Sequence, residues 1–218
     1  EILKLNLLGI DCGDLIYDTY IRFRNKPTVD IKDKFLRKII FISLLQIICF
    51  KKMQKRHGFT ELYTSYATYI HYGILVRVFL KYGVKIYSGY SLSQYNKRIT
   101  KNDRYHVENY RKFKKIFSNL KDKRKKYNKA KNLIDNIFFN QRKKVEFMDY
   151  MRTDPYKNNF HDLIKNYSGV IFLPNFFESQ REWGELIFLD FYEWANFTLK
   201  LIEEKKLNIA IKPHPNIY

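Results

Sequence analysis

A histidine stands between two prolines at the end of an apolar run, in the stretch "IAIKPHPN" at residues 209 to 216. Proline fixes its own φ and pushes the residue before it toward extended backbone. His214 is therefore held stiffly where a strand should stop. Ligands of open parallel sheets bind outside the carboxyl ends of strands. An imidazole placed there can donate a hydrogen bond to a phosphate, and Lys212 beside it adds positive charge. The same residues serve equally as a rigid turn that leaves the sheet with His214 exposed. Near the other end, "GIDCGDLIYDTYIR" at residues 9 to 22 presents Asp11, Asp14 and Asp18 just after an apolar start. A carboxylate at a strand exit can take a proton from a hydroxyl. Asp beside glycine also caps turns and helix starts, and both uses fit Asp11 and Asp14. A third set, Glu178, Arg181 and Glu182, follows the buried-strand pattern "GVIFLPNFF" at residues 169 to 177. These side chains either bind sugar hydroxyls or a phosphate, or are ordinary solvated loop charges. Tyr69, His71 and Tyr72 precede Gly73 at the start of a helical pattern, as a ligand-facing rim or as packing aromatics.

Those groups need elements to position them. The start of the chain reads as a short apolar strand, a turn from Gly9 to Asp14, and a segment carrying Tyr17, Tyr20 and Arg22. From Asp30 to about Lys55, the apolar spacing of Phe35, Leu36, Ile39, Ile40, Ile42, Ile47 and Ile48 predicts a long, well-buried helix. Asp30 or Asp33 caps its start, and His57-Gly58 ends it. A β-prone stretch, a helix from about Tyr69 to Tyr82 closed by Gly83, and the strand "VKIYS" make a βαβ unit with parallel strands. A second unit opens near residue 169, with Phe191, Trp194, Thr198, Leu201 and Ile202 on one helix face and "LNIAIKP" as its closing strand. Residues 141 to 168, with Pro155 and the Asn158-Asn159 pair, read as a linker.

Composition narrows the function classes. The 45% hydrophobic content of the 218 residues supports a sizeable core and argues against disorder. The longest apolar run, "IIFISLLQIICF", has 12 residues, against the roughly 20 that a bilayer span needs. Cys12 and Cys49 are too few for a disulfide framework. The five histidines are scattered, without metal-ligand spacing, and no Gly-rich phosphate loop of the Walker or dinucleotide type is present. The net charge of +19 invites an anionic partner, although abundant Lys, Asn, Ile, Tyr and Phe also form the set encoded by A/T-rich codons. Residues 97 to 131 concentrate 15 Lys and Arg against Asp103, Glu108 and Asp122. Tyr110, Phe113, Ile116, Phe117 and Leu120 fall at helical spacing there, so one or two amphipathic helices are expected. Starting at Glu1 rather than Met, the sequence reads as a fragment cut at both ends.

"GIDCGDLIYDTYIR", "YIHYGILVRVFLKYGVKIY" and "FLPNFFESQREWGELIFLDFYEWANFTLKLI" followed by "IKPHPN" resemble bacterial capsule and surface-polysaccharide biosynthesis glycosyltransferases of the two-Rossmann (GT-B) type. The resemblance runs through most of the chain on short motifs. It implies an α/β, GT-B-like fold. Residues 1–160 would form a Rossmann-like N-terminal acceptor-side domain with a helical insertion. Residues 161–218 would begin a Rossmann-like donor-binding domain that stops before the further Gly-rich and Ser/Thr donor contacts. The implied activity is transfer of a sugar from a nucleotide-activated donor to a growing polysaccharide or lipid-linked acceptor. No separate cofactor and no metal are expected, because the His and basic residues can neutralise the leaving phosphate. His214 and Pro215 carry over to the donor phosphate contact, joined on the donor side by Lys212, Asn216, Glu178 and Arg181. Asp14, with Asp11 in reserve, would be the base; Asp18, Tyr17, Tyr69 and His71 would meet the acceptor. The expected location is cytoplasmic, peripheral on the inner face of the membrane. There the Lys-rich stretch would dock on anionic lipid, with Tyr110, Phe113 and Phe117 turned to the core and Lys112, Lys114, Lys121 and Lys125 solvated. The alternative is a basic nucleic-acid-binding protein that grips phosphates through residues 97 to 131.

Overall fold

A computed structural model describes residues 2–89, 96–108, 110–138, 165–184 and 186–214, the side chains of 136–138 excepted. After a turn of 3-10 helix at Ile2–Lys4, β1 (Asn6–Leu7) and β2 (Ile10–Asp11) form a small antiparallel hairpin. Its two-residue turn, Leu8-Gly9, has positive φ at both positions (51° and 76°), the primed-turn geometry that matches strand twist. The sequence reading placed one strand and a long turn here. The turn is shorter because β2 runs almost directly into α1 (Gly13–Arg24). A side chain at Gly13 would put Cβ 2.0 Å from the Ile2 carbonyl oxygen, so only glycine permits that close approach.

α2 (Lys34–His57) begins where Asp33 Oδ1 accepts the Phe35 N–H at 2.9 Å, and it ends at Gly58. Its burial is one-sided: Leu36, Ile39 and Ile47 are buried, whereas Phe41, Leu45 and Ile48 are exposed. The expectation of a long, well-buried helix holds for one face only, the face that α1 and α3 cover. β3 (Glu61–Thr64), α3 (Tyr69–Lys81) and β4 (Lys85–Gly89) form the expected βαβ unit, with Glu61 opposite Lys85 in parallel register. α3 is the centre of the core; its Ile70, Ile74, Val76, Val78, Phe79 and Leu80 are buried.

Residues 96 to 99 depart from the helical expectation. They form β5 (Asn96–Ile99), antiparallel to β4, and Lys97 and Ile99 point inward while Asn96 and Arg98 point out. The two-residue period of a strand is satisfied because the Lys97 ammonium reaches Asp103 at 2.7 Å and the Val107 carbonyl at 2.6 Å. A 3-10 turn at Tyr110–Lys112, α4 (Phe113–Ser118) and α5 (Lys123–Phe138) follow, helical as expected. The inward orientation expected for Tyr110, Phe113 and Phe117 is overturned: they are 55%, 54% and 53% exposed. Helical spacing creates an apolar stripe but does not supply the element that covers it. The linker reading falls mostly on residues outside those described.

β6 (Gly169–Phe172) and β7 (Ile209–Lys212) pair in parallel around α6 (Phe191–Glu204). Phe191, Trp194, Thr198 and Ile202 are half-buried on one face of α6, and Leu201 is exposed. The architecture is mixed α/β with small sheets that include parallel pairs. Among the described residues, no helix is long and apolar enough to cross a membrane.

Candidate functional site

The loop from Leu173 to Asp190 leaves the carboxyl end of β6 and crosses to α1. Its attachments are polar. Arg181 Nη1 donates to Asp18 Oδ1 at 2.5 Å, and Ser179 Oγ donates to Asp18 Oδ2 at 2.8 Å. The Ser179 N–H reaches Tyr69 Oη at 3.0 Å, and Tyr17 Oη donates to Asp190 Oδ2 at 2.5 Å. The Arg181 guanidinium also lies 4.4 Å from the centre of the Tyr17 ring, a favourable cation–π distance. The loop closes on a reciprocal cap at α6. Asp190 Oδ1 accepts the Glu193 N–H at 2.8 Å, and Glu193 Oε2 accepts the Leu189 N–H at 2.6 Å. Burial pushes the Asp18 carboxyl up to about 6, and the opposing pull of Arg181 and Ser179 does not restore the ordinary value.

Beside this latch, α1, the 102–107 segment and the loop enclose a cleft of about 550 Å³. Asp11, Asp14, Arg104, Tyr105, Arg181 and Glu182 are among its walls. Asp14 sits in the first turn of α1, where both its oxygens accept from the buried Arg77 guanidinium and one also accepts from Tyr105 Oη. Arg77 additionally donates to the Asp11 carbonyl at 2.6 Å. Burial alone would raise Asp14, but the Arg77 hydrogen bonds and charge, with Tyr105, hold it down at about 2. Asp14 is thus a permanent carboxylate with little appetite for a proton. Glu182 is its opposite: burial, then the negative charges of Asp18 and Glu178, push it up to about 7. His106 Nε2 lies 3.7 Å from Glu182 Oε2. His106 Nδ1 accepts the Ala67 N–H at 3.4 Å, and burial followed by Lys97 lowers this imidazole to about 4. It faces Glu182 as a neutral ring at physiological pH.

The cleft continues into an apolar depression that shares Leu186 and Phe188 with it and adds Pro174, Ile187, Phe191 and Trp194. Polar and aromatic walls thereby meet in one continuous surface. Of the residues singled out in the sequence, Asp11, Asp14, Arg181 and Glu182 come together here. Asp11 is at the rim, where it accepts from Asn6 Nδ2 at 2.7 Å and lies 3.7 Å from Arg104. Tyr17 and Asp18 are 3% and 2% exposed beneath the loop, so in this conformation they hold the loop rather than face a ligand. Tyr69 does the same through Ser179. His71 is exposed against Phe23, with ring centres 5.0 Å apart, and Glu178 is exposed and accepts from Asn175 at 3.1 Å. Lys212 ends β7 with its ammonium 5.7 Å from the Phe172 ring centre, and His214 follows it. Pro215 and Asn216 lie outside the described residues. Phe172 and Lys212 are partners in parallel register, so the loop with Arg181 and the segment with His214 depart from the same sheet edge.

Arg77, Tyr105 and His106 were not anticipated. Arg77 had a signal: a lone cation inside the apolar helix "GILVRVFL" requires a buried partner. Among the described residues, no three His, Cys, Asp or Glu side chains group so as to hold a metal ion. Compared with family models, with curated proteins and with solved structures, the chain gives no match.

Proposed function

We propose that the protein is a glycosyltransferase of the GT-B type that moves a sugar from a nucleotide-activated donor to a growing surface polysaccharide or lipid-linked acceptor. Residues 1–160 form its acceptor side and residues 161–218 belong to its donor side. The observation that carries this reading is the meeting of two chain segments in one cleft whose carboxylates have opposite proton affinities, Asp14 near 2 and Glu182 near 7. Groups whose environments push their proton affinities apart suit a division of roles. Glu182 accepts the proton of the acceptor hydroxyl. That oxygen forms the new bond to the anomeric carbon, the bond from the same carbon to the donor phosphate breaks, and the electron pair leaves with the nucleotide. Asp14, fixed by Arg77 and Tyr105, accepts hydrogen bonds from sugar hydroxyls and supplies a stationary negative charge beside the carbon that becomes positive. His214, Lys212 and Arg181 take up the charge on the departing phosphate. The aromatic depression around Phe188 and Trp194 receives the flat faces of the donor.

The test is titration of the full-length chain with UDP, GDP and CMP sugars, followed by turnover assays on Glu182→Gln and His214→Ala. One nucleotide class should give binding heat. Glu182→Gln should then lower kcat by about 10²–10⁴-fold, the usual contribution of a positioned acid or base, without lowering the melting temperature. Absence of heat with every donor, or full turnover in Glu182→Gln, would overturn the reading.

A further inference from the structure

Between residues 110 and 135 the chain carries eleven Lys and Arg against Asp122 and Asp135. None of the residues described in the 3-10 turn, α4 or α5 is buried. The apolar side chains of this segment nevertheless recur with helical spacing. Phe113, Ile116 and Phe117 follow Tyr110 on the first part, and Tyr127, Leu133 and Ile134 continue along α5; all seven are between 42% and 59% exposed. Exposed apolar side chains gathered on a helix face with a polar border mark an interaction site. Here the border is cationic almost throughout.

Charge complementarity decides the occupant. A helix that presents aromatic and aliphatic side chains on one face and lysines around them fits the boundary between headgroups and acyl chains of an anionic bilayer. Nucleic acid would also answer the charge, and bases stack on aromatic rings. However, Ile116 on α4 and Leu133 and Ile134 on α5 are exposed aliphatic side chains that offer no ring to stack on. Lys112 is engaged elsewhere, with Asp103 and with Glu108 at 3.0 Å, whereas Lys114, Lys121 and Lys125 are among the exposed cations around these apolar side chains. We propose that residues 110–135 form an interfacial membrane anchor, with Phe113 and Phe117 inserted into the acyl boundary of an anionic lipid surface and the lysines on its headgroups.

Insertion separates this proposal from docking by charge alone. Each basic residue near an anionic surface contributes about 1 kcal/mol that decays within a Debye length, so a purely electrostatic contact disappears in high salt. An inserted aromatic pair leaves a salt-resistant remainder. The proposal does not depend on the transfer chemistry, and its test needs no donor or acceptor. The full-length chain is co-sedimented with phosphatidylglycerol vesicles and with phosphatidylcholine vesicles at low and high salt, beside two variants, Phe113→Asp/Phe117→Asp and Lys114→Glu/Lys121→Glu/Lys125→Glu. The wild type should pellet with phosphatidylglycerol, retain part of that binding in high salt and ignore phosphatidylcholine. The aromatic variant should lose the salt-resistant part and bind about ten-fold more weakly. The lysine variant should lose binding at low salt, and both should melt with the wild type because every altered residue is exposed. Equal pelleting of the aromatic variant and the wild type would overturn insertion. Steeply salt-dependent binding to single-stranded nucleic acid without any preference for phosphatidylglycerol would overturn the lipid as partner.

Discussion

The βαβ unit at residues 61–89 and the parallel pair at residues 169–212 share a plan, two parallel strands joined through a helix, yet they are held by opposite means. α3 buries six apolar side chains and packs against β2, β4, α1 and α2. α6 buries none, and the buried residues described between 165 and 214 are Ser179, Gln180 and Asp190, all polar. Apolar burial is non-directional and roughly proportional to area, so the first unit tolerates small displacements. Hydrogen bonds and ion pairs depend on angle and distance, so the second is positioned by Asp18, Tyr17 and Tyr69. The candidate cleft lies on that polar seam, where position matters most.

The largest effect should come from truncating the apolar centre. Ile74→Ala, at a fully buried position, should cost about 2–5 kcal/mol, whereas Ile202→Ala on the half-buried face of α6 should cost well below that. Urea denaturation followed by circular dichroism measures both, and equal costs would erase the contrast. Arg77→Ala should have an effect as large, about 3–5 kcal/mol, because it leaves the Asp14 carboxylate without its charged partner. Adding Asp14→Asn should recover part of the loss in a double-mutant cycle; full additivity would show that the two side chains do not act as a pair.

A smaller effect is the pH dependence of loop attachment. Asp18 is raised from 3.8 to about 6 and Glu182 from 4.5 to about 7. Each therefore favours the closed state most below its unfolded value and loses that contribution as pH rises through its folded value. Asp14 runs the other way: lowered to about 2, it contributes above 3.8 and is lost only as pH falls through 2. Loop attachment should accordingly be strongest below about pH 4 and weaken toward pH 7, by an amount on the order of 2–3 kcal/mol from Asp18. The emission of Trp183, which lies in the loop, should report the change, and Asp18→Asn should flatten the part that lies near pH 6. Strengthening on the alkaline side would contradict the assignment.

What could be read from the sequence follows from how far apart the causes lie along the chain. The α2 cap at Asp33, the parallel pairing of β3 with β4 and the half-buried face of α6 are local patterns, set by capping and by periods of two or 3.6 residues. β5 was missed because Lys97 and Arg98 resemble the exposed charges of a helix until Asp103 and Val107 are seen to receive the Lys97 ammonium. The outward turn of Phe113 and Phe117 was missed because spacing defines a stripe, not its partner. The cleft was legible only as ingredients. Asp14, Arg181 and Glu182 each stood at the right kind of chain position, but Arg77 with Asp14 and Arg181 with Asp18 join residues 63 and 163 positions apart, and no local pattern announces such a pair.

The central claim is that the 173–190 loop is held over α1 by a polar latch and thereby completes the cleft. Amide hydrogen exchange on the wild type and on Arg181→Ala tests it most directly. The amides of Ser179 and Phe191, which donate to Tyr69 Oη and Gln180 Oε1, should be protected in the wild type and exchange much faster in the variant, while those of α3 keep their protection in both. Equal exchange of the loop amides in the two proteins, or loss of α3 protection in the variant, would contradict the account.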